Sequence, residues 1–186
     1  MISHEEYSNY LKTRSLKSLL YKFFFVYPRI NFYLRGLTLD VGCGVGDFLK
    51  YKKNAVGTDI NAFNIEFCKQ RGLDARLIEN GIFPFESNLF DSVLLDNVLE
   101  HIDRPKELIS EINRVLKKNG FFVLGVPGKK GYVYDDDHKV FYDEKSLNSL
   151  LGDNFNHEMF FYTPFKSNYL NFRSRHYCLY GVFKKK

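Results

Sequence analysis

Apolar side chains change their spacing along the chain near residue 36. Before that point they recur at roughly helical intervals, at Leu16, Leu19, Leu20, Phe23 and Phe24. Pro28 interrupts this pattern, because proline lacks the amide donor that a helix interior needs. The pattern predicts two short helices, and we interpret residues 1–35 as an N-terminal helical cap or lid.

After residue 36 the pattern alternates between short apolar runs and helical stretches. Runs typical of strands cover 37–42, 55–59, 75–79, 90–98 and 120–127. Helical stretches lie between them at 47–54, 61–72 and 104–120. The last stretch has Pro105 in its first turn, Lys117 and Lys118 in its last turn, and Gly120 at its end. With its flanking strands it predicts a complete β-α-β unit.

The C-terminal part combines one helical stretch, 143–152, with two aromatic-rich runs, 157–163 and 176–183. We expect these two runs to form a hairpin-related pair of strands. Alternating strands and helices are typical of an α/β fold whose mostly parallel sheet carries helices on both faces. Residues 36–186 are predicted to form one such domain.

Composition narrows the class of protein. The chain has 186 residues, 45% of them hydrophobic and 26% charged, and no continuous apolar run approaches the 20 or so residues of a membrane span. Its three cysteines, Cys43, Cys68 and Cys178, are widely spaced and odd in number, which argues against a disulfide framework or a zinc site. The first ten residues show no secretory pattern. We therefore expect a cytoplasmic protein.

The stretch "LDVGCGVG" at 39–46 follows the first predicted strand, and the acid Asp59 ends the second. A glycine-rich turn lets bare backbone approach a nucleoside, and a carboxylate can accept hydrogen bonds from ribose hydroxyls. The spacing of Gly42, Gly44 and Gly46 is G-x-G-x-G, with Asp47 where a G-x-G-x-x-G dinucleotide pattern has its last glycine. This difference disfavours a nicotinamide dinucleotide.

Two stretches, "LDVGCGVGDFL" and "FDSVLLDNVLEHI", resemble the class I S-adenosylmethionine-dependent methyltransferases, in particular the small-molecule branch that includes bacterial enzymes of glycan and secondary-metabolite methylation. The resemblance covers roughly residues 37–151. It implies a Rossmann-like, seven-stranded, mostly parallel sheet with helices on both faces and an antiparallel C-terminal strand. It also implies S-adenosylmethionine as the cofactor.

The resemblance implies a set of cofactor-binding residues, namely Asp40, Gly42, Cys43, Gly44, Gly46, Asp59, Ile60, Glu79, Asn80, Asp96 and Asn97. In the family, the strand-end acid and the glycines hold the methionine moiety. Asp59 would accept from the ribose hydroxyls, Glu79 would contact the adenine amino group, and Asp96 would face the sulfonium. Two structural alternatives stay open, because Asp59 can be an ordinary helix cap and Glu79 a solvated strand-end residue.

The reaction class places few demands on the remaining residues. A sulfonium already activates its methyl group, so alignment of the acceptor supplies most of the acceleration. A weak acceptor such as an alcohol also needs a base, and histidine has a suitable pKa. His138 and His101 both follow predicted strands, and we favour His138 as the base, with His101 second. The alternatives are an exposed loop residue for His138 and a structural helix cap for His101.

Three consecutive acids, Asp135, Asp136 and Asp137, precede His138 and raise the possibility of a magnesium or calcium site. Some relatives that methylate catechols or sugars use a metal, with carboxylates near the "EH" dipeptide. Asn97 stands here where a further carboxylate is expected, so we favour a solvated acidic loop and a metal-free enzyme.

The acceptor is predicted mainly by exclusion. The motif "DNVL" at 96–99 differs from the Asn/Asp-Pro-Pro-aromatic run that holds an exocyclic base amine, so we expect no nucleic-acid partner. We favour an oxygen of a small molecule such as a sugar, a nucleotide sugar or a phosphorylated glycan precursor, and the net charge of +5 suits an anionic acceptor. Two alternatives are a lipid or quinone at a membrane surface, which the N-terminal basic residues could contact, and a non-catalytic binding module.

Overall fold

The computed structural model describes residues 3–186, in which seven strands form one sheet in the order β3-β2-β1-β4-β5-β7-β6. The strands are β1 (Thr38–Val41), β2 (Ala55–Asp59), β3 (Ala75–Leu77), β4 (Phe90–Asp96), β5 (Leu116–Pro127), β6 (Phe155–Thr163) and β7 (Cys178–Lys185). Strands β1 to β5 run parallel to one another, whereas β7 pairs antiparallel with both β5 and β6. The predicted sheet, including its antiparallel C-terminal pair, is confirmed.

The helices join and cover these strands. They are α1 (His4–Lys12), α2 (Leu16–Tyr21), α3 (Tyr27–Tyr33), α4 (Asp47–Tyr51), α5 (Ala62–Gln70), α6 (Pro105–Val115), α7 (Lys129–Tyr134), α8 (Glu144–Leu151) and α9 (Asn168–Arg173). A π-helical turn at Lys22–Val26 joins α2 to α3, and a 3₁₀ turn at Leu99–His101 follows β4. In residues 3–186, no helix combines the length and the apolar character that crossing a bilayer requires.

The sheet is apolar on both faces. Val93 and Leu95 of β4 lie in the core cluster that contains α6 and α8, whereas Leu94 lies in the opposite cluster with α3 and α4. Successive side chains of a strand point to opposite faces, so a continuous apolar run is what burial on both faces requires. The chain order reverses between the neighbouring strands β1 and β4, which places the expected ligand crevice at their carboxyl ends.

One predicted helix boundary is wrong. The helix expected over 104–120 ends at Val115, and Leu116 already pairs with Phe90 in the sheet. The basic residues interpreted as its last turn belong to the irregular start of β5, where Asn119 has a φ of 63° and the pairing register shifts. Lys117 there donates to Asp91 at 2.7 Å. Long-range pairing of a fully buried leucine therefore ends the helix before its local signals do.

The N-terminal segment also differs from the two helices expected. Three α-helices form, and the segment from α2 to α3 is continuously helical through the π-helical turn. Pro28 lies in the first turn of α3 and does not break the helix, because the wider turn before it changes the hydrogen-bond pattern that proline cannot complete. The chain leaves helical geometry between α1 and α2 instead.

Helix α3 is packed into the domain core. Val26, Tyr27, Ile30 and Leu34 are buried in the same cluster as Leu94 of the central strand β4. Not every side chain of α3 is buried, since Phe32 keeps 69% of its area exposed. The last part of the predicted cap thus packs into the core of the sheet domain and contributes to its stability.

We expect Ile30→Ala to lower the free energy of unfolding by about 2–5 kcal/mol, because Ile30 is fully buried and its truncation leaves a cavity. Phe32→Ala, on the same helix but exposed, is the matched control and should change it by less than about 0.5 kcal/mol. Urea unfolding measures both. Equal effects of the two substitutions would contradict the packing of α3 described above.

Candidate active site

The glycine loop follows β1 directly. The backbone N–H groups of Gly42 and Cys43 both donate to the carbonyl of Thr58, at 2.7 and 3.0 Å, which ties the loop to the neighbouring strand β2. Gly42 has a φ of 73°, and a Cβ there would lie 2.5 Å from Val98. The side chain of Cys43 is buried against Gly57, so only its backbone can line a ligand. The loop offers bare backbone at the expected crevice.

Gly44 and Gly46 complete this turn in the left-handed conformation that glycine adopts most readily, with φ of 53° and 76°. A Cβ at Gly46 would lie 2.6 Å from Leu73 and 2.9 Å from Cys68. The three glycines of the motif are therefore all explained by the turn itself. Helix α4 begins at the next residue, Asp47.

Asp59 ends β2 and lies against the glycine loop. Its carboxylate accepts from the backbone N–H of Gly44 and of Asn61, both at 2.8 Å, and from the amide of Asn64 at 3.4 Å. Burial raises the pKa of Asp59, and the backbone hydrogen bonds oppose that rise. The helix-cap role that was open for Asp59 belongs to Asn61, whose side chain accepts from the N–H of Phe63 at 3.0 Å.

The predicted adenine-binding residues lie in a tight turn beside Asp59. The N–H of Ile78 donates to the Asp59 carbonyl at 2.9 Å, and the chain then turns at Glu79–Ile82, with Asn80 at a φ of 53°. Glu79 and Asn80 are both exposed, and β3 ends at Leu77 instead of reaching Glu79 as expected. The structure thus leaves the Glu79 side chain free to meet a ligand.

Two apolar side chains at this end of the sheet are unusually exposed. Ile60, directly after Asp59, keeps 63% of its area exposed, and Ile82 keeps 62%. Covering such surfaces with a flat aromatic base would be favourable. Sequence reasoning named Ile60 but missed Ile82, and its position after the Asn80-Gly81 turn was the signal that could have identified it.

Asp96 ends β4 and is surrounded by donors. Its Oδ1 accepts from the Tyr180 hydroxyl at 2.8 Å and from the Asn97 amide at 2.9 Å, and its Oδ2 lies 3.3 Å from Nζ of Lys22. Asp40 on the neighbouring strand is also buried, and its pKa is well above its usual range because of burial and, next, the Asp96 charge. Lys22 of the π-helical turn thus supplies a cation beside the Asp96 carboxylate.

Helix α1 contacts two of the elements that carry predicted cofactor-binding residues, the glycine loop and the segment after β2. The Asn61 side chain donates to the carbonyl of His4 at 2.7 Å, and a Cβ on Gly44 would lie 3.1 Å from Leu11. Arg14, just after α1, forms an ion pair with Asp47 at the start of α4. Sequence reasoning treated residues 1–35 as a unit and did not identify Arg14 or Lys22 as a partner of the site.

The two candidate bases lie together, with a glutamate that the sequence did not single out. The rings of His101 and His138 have centroids 4.6 Å apart, and Nε2 of His138 lies 3.7 Å from Oε1 of Glu100. Burial raises the pKa of Glu100 to about 8 and lowers the pKa of His101. The three side chains therefore form one cluster that is largely shielded from solvent, next to the end of β4.

The loop that carries His138 is held against the 3₁₀ turn. The N–H of Lys139 donates to the Glu100 carbonyl at 2.8 Å, and the Tyr132 ring stacks on His138 with centroids 5.6 Å apart. His138 is consequently almost buried, contrary to the exposed-loop alternative, with 8% of its side chain exposed. The acids expected to be solvated, Asp135, Asp136 and Asp137, are exposed.

Comparison with known proteins relates part of this chain to methyltransferases. Residues 39–124 match the methyltransferase domain family. An uncharacterized protein of Methanocaldococcus jannaschii is 30% identical over 119 residues, which cover 64% of this chain and 56% of that protein. A probable tRNA methyltransferase 9B of Homo sapiens is 30% identical over 110 residues, which cover 54% of this chain and 24% of that protein.

Among solved structures, an S-adenosylmethionine-dependent methyltransferase of Thermotoga maritima, described as a possible histamine N-methyltransferase, has a TM-score of 0.79 with 17% identity over 98% of both chains. At 17% identity, this structural similarity is evidence for a shared fold only. The chain spans about half the length, or less, of the curated relatives described here. The fold is that of the class I methyltransferases, as expected from the sequence, and residues 39–124 match a methyltransferase domain.

We expect Asp59→Ala to weaken binding of S-adenosylhomocysteine about ten- to a hundredfold, because it removes a charged acceptor whose hydrogen bonds are worth about 1.5–3 kcal/mol. Isothermal titration calorimetry measures the affinity. Asp74→Ala is the matched control, because this aspartate lies just before β3 with 55% of its side chain exposed. Unchanged affinity in a folded Asp59→Ala protein would remove Asp59 from the site.

Proposed function

From the match of residues 39–124 to a methyltransferase domain, we propose that this chain transfers the methyl group of S-adenosylmethionine to a hydroxyl oxygen of a small acceptor. The observation that carries the proposal is the cluster of Glu100, His101 and His138 beside Asp96, at the edge of the sheet where the glycine loop opens. The acceptor would be a sugar, a nucleotide sugar or a phosphorylated precursor of a surface glycan.

The cofactor would lie along the carboxyl ends of β1, β2 and β4. Backbone of the loop at Gly42–Gly46 would hold the methionine moiety, and Asp59 would hold the ribose. Glu79 and the exposed side chain of Ile60 would meet the adenine. The methyl group would then point toward the end of β4, where Asp96 and the histidine cluster lie.

A hydroxyl acceptor must lose its proton as the new bond forms, because an oxonium product is strongly acidic. The cluster is suited to this task, since burial keeps the His101 ring neutral by lowering its pKa. We assign removal of the proton to the cluster as a whole. A carboxylate acceptor is already ionised and would need no such group, so the cluster favours an alcohol over a carboxylic acid.

An acceptor cleft of about 350 Å³ lies beyond the end of β5. Aromatic rings of Tyr142, Tyr162 and Tyr177 line it together with the cations Lys145 and Lys166. The acids Asp143 and Glu144 line it as well, and Lys166 lies 3.2 Å from Glu144. The rings would cover the apolar face of a sugar, and the charged groups would bind its hydroxyls. Tyr142 lines this cleft, and burial and, next, the charge of Glu100 raise its pKa.

A lipid or quinone acceptor at a membrane surface is the second candidate, and the exposed N-terminal side chains favour it. Leu16, Leu20 and Phe24 recur at intervals of four along the segment from α2 into the π-helical turn and keep 69%, 47% and 66% of their areas exposed. Lys17 lies beside them. An apolar stripe with a neighbouring cation is the pattern of an interfacial helix.

Methyl-labelled S-adenosylmethionine distinguishes these acceptors directly. The protein would be incubated with separate fractions of nucleotide sugars, phosphorylated glycan precursors, quinone-containing lipids and tRNA, and the label followed into each. We expect label in a sugar-containing fraction, in a linkage that withstands mild base as an ether does. Label in the lipid fraction alone would select the second candidate, and label in tRNA would contradict both.

We expect His138→Ala to lower turnover of the labelled acceptor by about 10²–10⁴ while the affinity for S-adenosylhomocysteine changes less than about threefold, because the cluster acts on the acceptor and not on the adenosine. His157→Ala is the control, since this histidine lies on β6 against Phe160 and Phe183. Normal turnover in His138→Ala would show that proximity alone carries the reaction.

A further inference from the structure

Glu100 is buried in an unusual way. Its side chain is 1% exposed, and within residues 3–186 neither carboxylate oxygen has a hydrogen-bond partner. A buried carboxylate without partners is costly, and natural structures compensate for it by a proton, an ion pair or a metal ion. The groups closest to Glu100 that can share a ligand with it are two imidazoles.

The three side chains converge on one point. Ligand atoms of Glu100, His101 and His138 all lie within 4.8 Å of one another. An ion placed between three donors at about 2.0–2.2 Å from each keeps them a little over 3 Å apart, so a small inward shift completes the arrangement. The 3.7 Å between Nε2 of His138 and Oε1 of Glu100 is already close to that value.

The tautomer of His138 is fixed for metal binding. Its Nδ1 lies 2.8 Å from the carbonyl oxygen of Tyr132, which can only accept a hydrogen bond. Nδ1 must therefore carry the proton, and in the neutral ring the lone pair is on Nε2, which faces Glu100. Metal-bound histidines usually donate their other ring N–H to a carbonyl or carboxylate in this manner.

We propose that Glu100, His101 and His138 form a binding site for one divalent first-row transition-metal ion. Two imidazoles and one carboxylate are the donor set of zinc, iron, cobalt and manganese sites that keep further positions open, whereas magnesium and calcium prefer sites made of oxygen donors. The exposed acids at 135–137 are not ligands in this assignment. It replaces the metal-free expectation drawn from the sequence.

The chemical role of the ion rests on the proposed function, whereas its binding does not. An ion held by Glu100, His101 and His138 would make an acceptor hydroxyl more acidic, so that its proton could pass to water. The oxygen then attacks the methyl carbon, the new C–O bond forms, and the electrons of the broken C–S bond stay on sulfur as S-adenosylhomocysteine. His138 acts here as a ligand, and loss of His138 still abolishes proton removal.

Cobalt(II) is the probe of choice, because its visible absorption reports both binding and nitrogen coordination. Metal-free wild-type protein, prepared by chelation, would be titrated with Co²⁺ and, by calorimetry, with Zn²⁺. We expect one ion per chain, an intense visible band, and a decrease in affinity of at least about tenfold in Glu100→Gln and in His138→Asn. Thermal unfolding of each variant shows whether it folds.

The acidic loop supplies the matched control, because Asp136→Asn removes an exposed carboxylate next to the cluster. It should leave Co²⁺ affinity unchanged. Absence of a saturable Co²⁺ band in the wild-type protein would overturn the proposal, as would equal affinity in a folded Glu100→Gln variant or loss of binding in Asp136→Asn.

Failure of the metal site and failure of the proposed function are separable. Labelled methyl transfer by chelated protein that gives no Co²⁺ band would keep the function and reject the metal. A Co²⁺ band that depends on Glu100, without methyl transfer to any sugar fraction, would keep the metal site and reject the acceptor class.

Discussion

Burial of carboxylates at the carboxyl ends of the strands is the constraint on which the rest of the site depends. Asp40, Asp59 and Glu100 have 4%, 8% and 1% of their areas exposed, and the Asp96 side chain has 10%. Each negative charge removed from water must be compensated by donors or cations. The way in which each acid is compensated differs, and those differences indicate what each one can bind.

Asp59 is compensated by the protein backbone, and Asp96 is compensated by a partner from the N-terminal segment. Because the Gly44 N–H binds Asp59, the carboxylate shapes the glycine loop even before a ligand arrives. Lys22 of this segment lies with Nζ 3.3 Å from Oδ2 of Asp96, so a cation is already present at the end of β4. The cap segment therefore contributes charge to the site as well as cover, and motion of that segment would change both.

Among the described residues, neither carboxylate oxygen of Glu100 has a hydrogen-bond partner, and Nε2 of His138, which can carry a positive charge, lies 3.7 Å from Oε1. Glu100 is therefore the informative member of the group. A protonated carboxyl, an ion pair with a protonated His138 and a metal-bound carboxylate would each satisfy the requirement, and the proposed metal site corresponds to the third. Glu100 follows β4 within a 3₁₀ turn, and its carbonyl accepts from the N–H of Lys139, which holds the loop that carries His138 against this turn.

Sequence patterns predicted the sheet and the glycine loop because both depend on local information. Continuous apolar runs require burial on both faces, and a G-x-G-x-G spacing requires a left-handed turn. The end of α6 at Val115 was missed because pairing of Leu116 with Phe90 is a long-range contact. Lys22 was missed for the same reason, since its partner lies 74 residues away.

Glu100 was missed for a different reason. The sequence shows a histidine next to it, and a histidine attracts attention as a base, but it does not show that the carboxylate is unpartnered. Burial of a charged side chain is a property of the folded chain. The candidate histidines were brought together as strand-end positions predicted, whereas the third member of the cluster required the structure.

We propose that the carboxyl ends of β1, β2 and β4 form a methyl-transfer site. A crystal structure of the protein with S-adenosylhomocysteine tests it most directly. The account predicts the ribose on Asp59, the homocysteine moiety along Gly42–Gly46, and the sulfur facing the cluster of Glu100, His101 and His138, with room for an acceptor oxygen about 3–3.5 Å from the transferred methyl position. Adenosine bound elsewhere, or a sulfur directed away from that cluster, would contradict it.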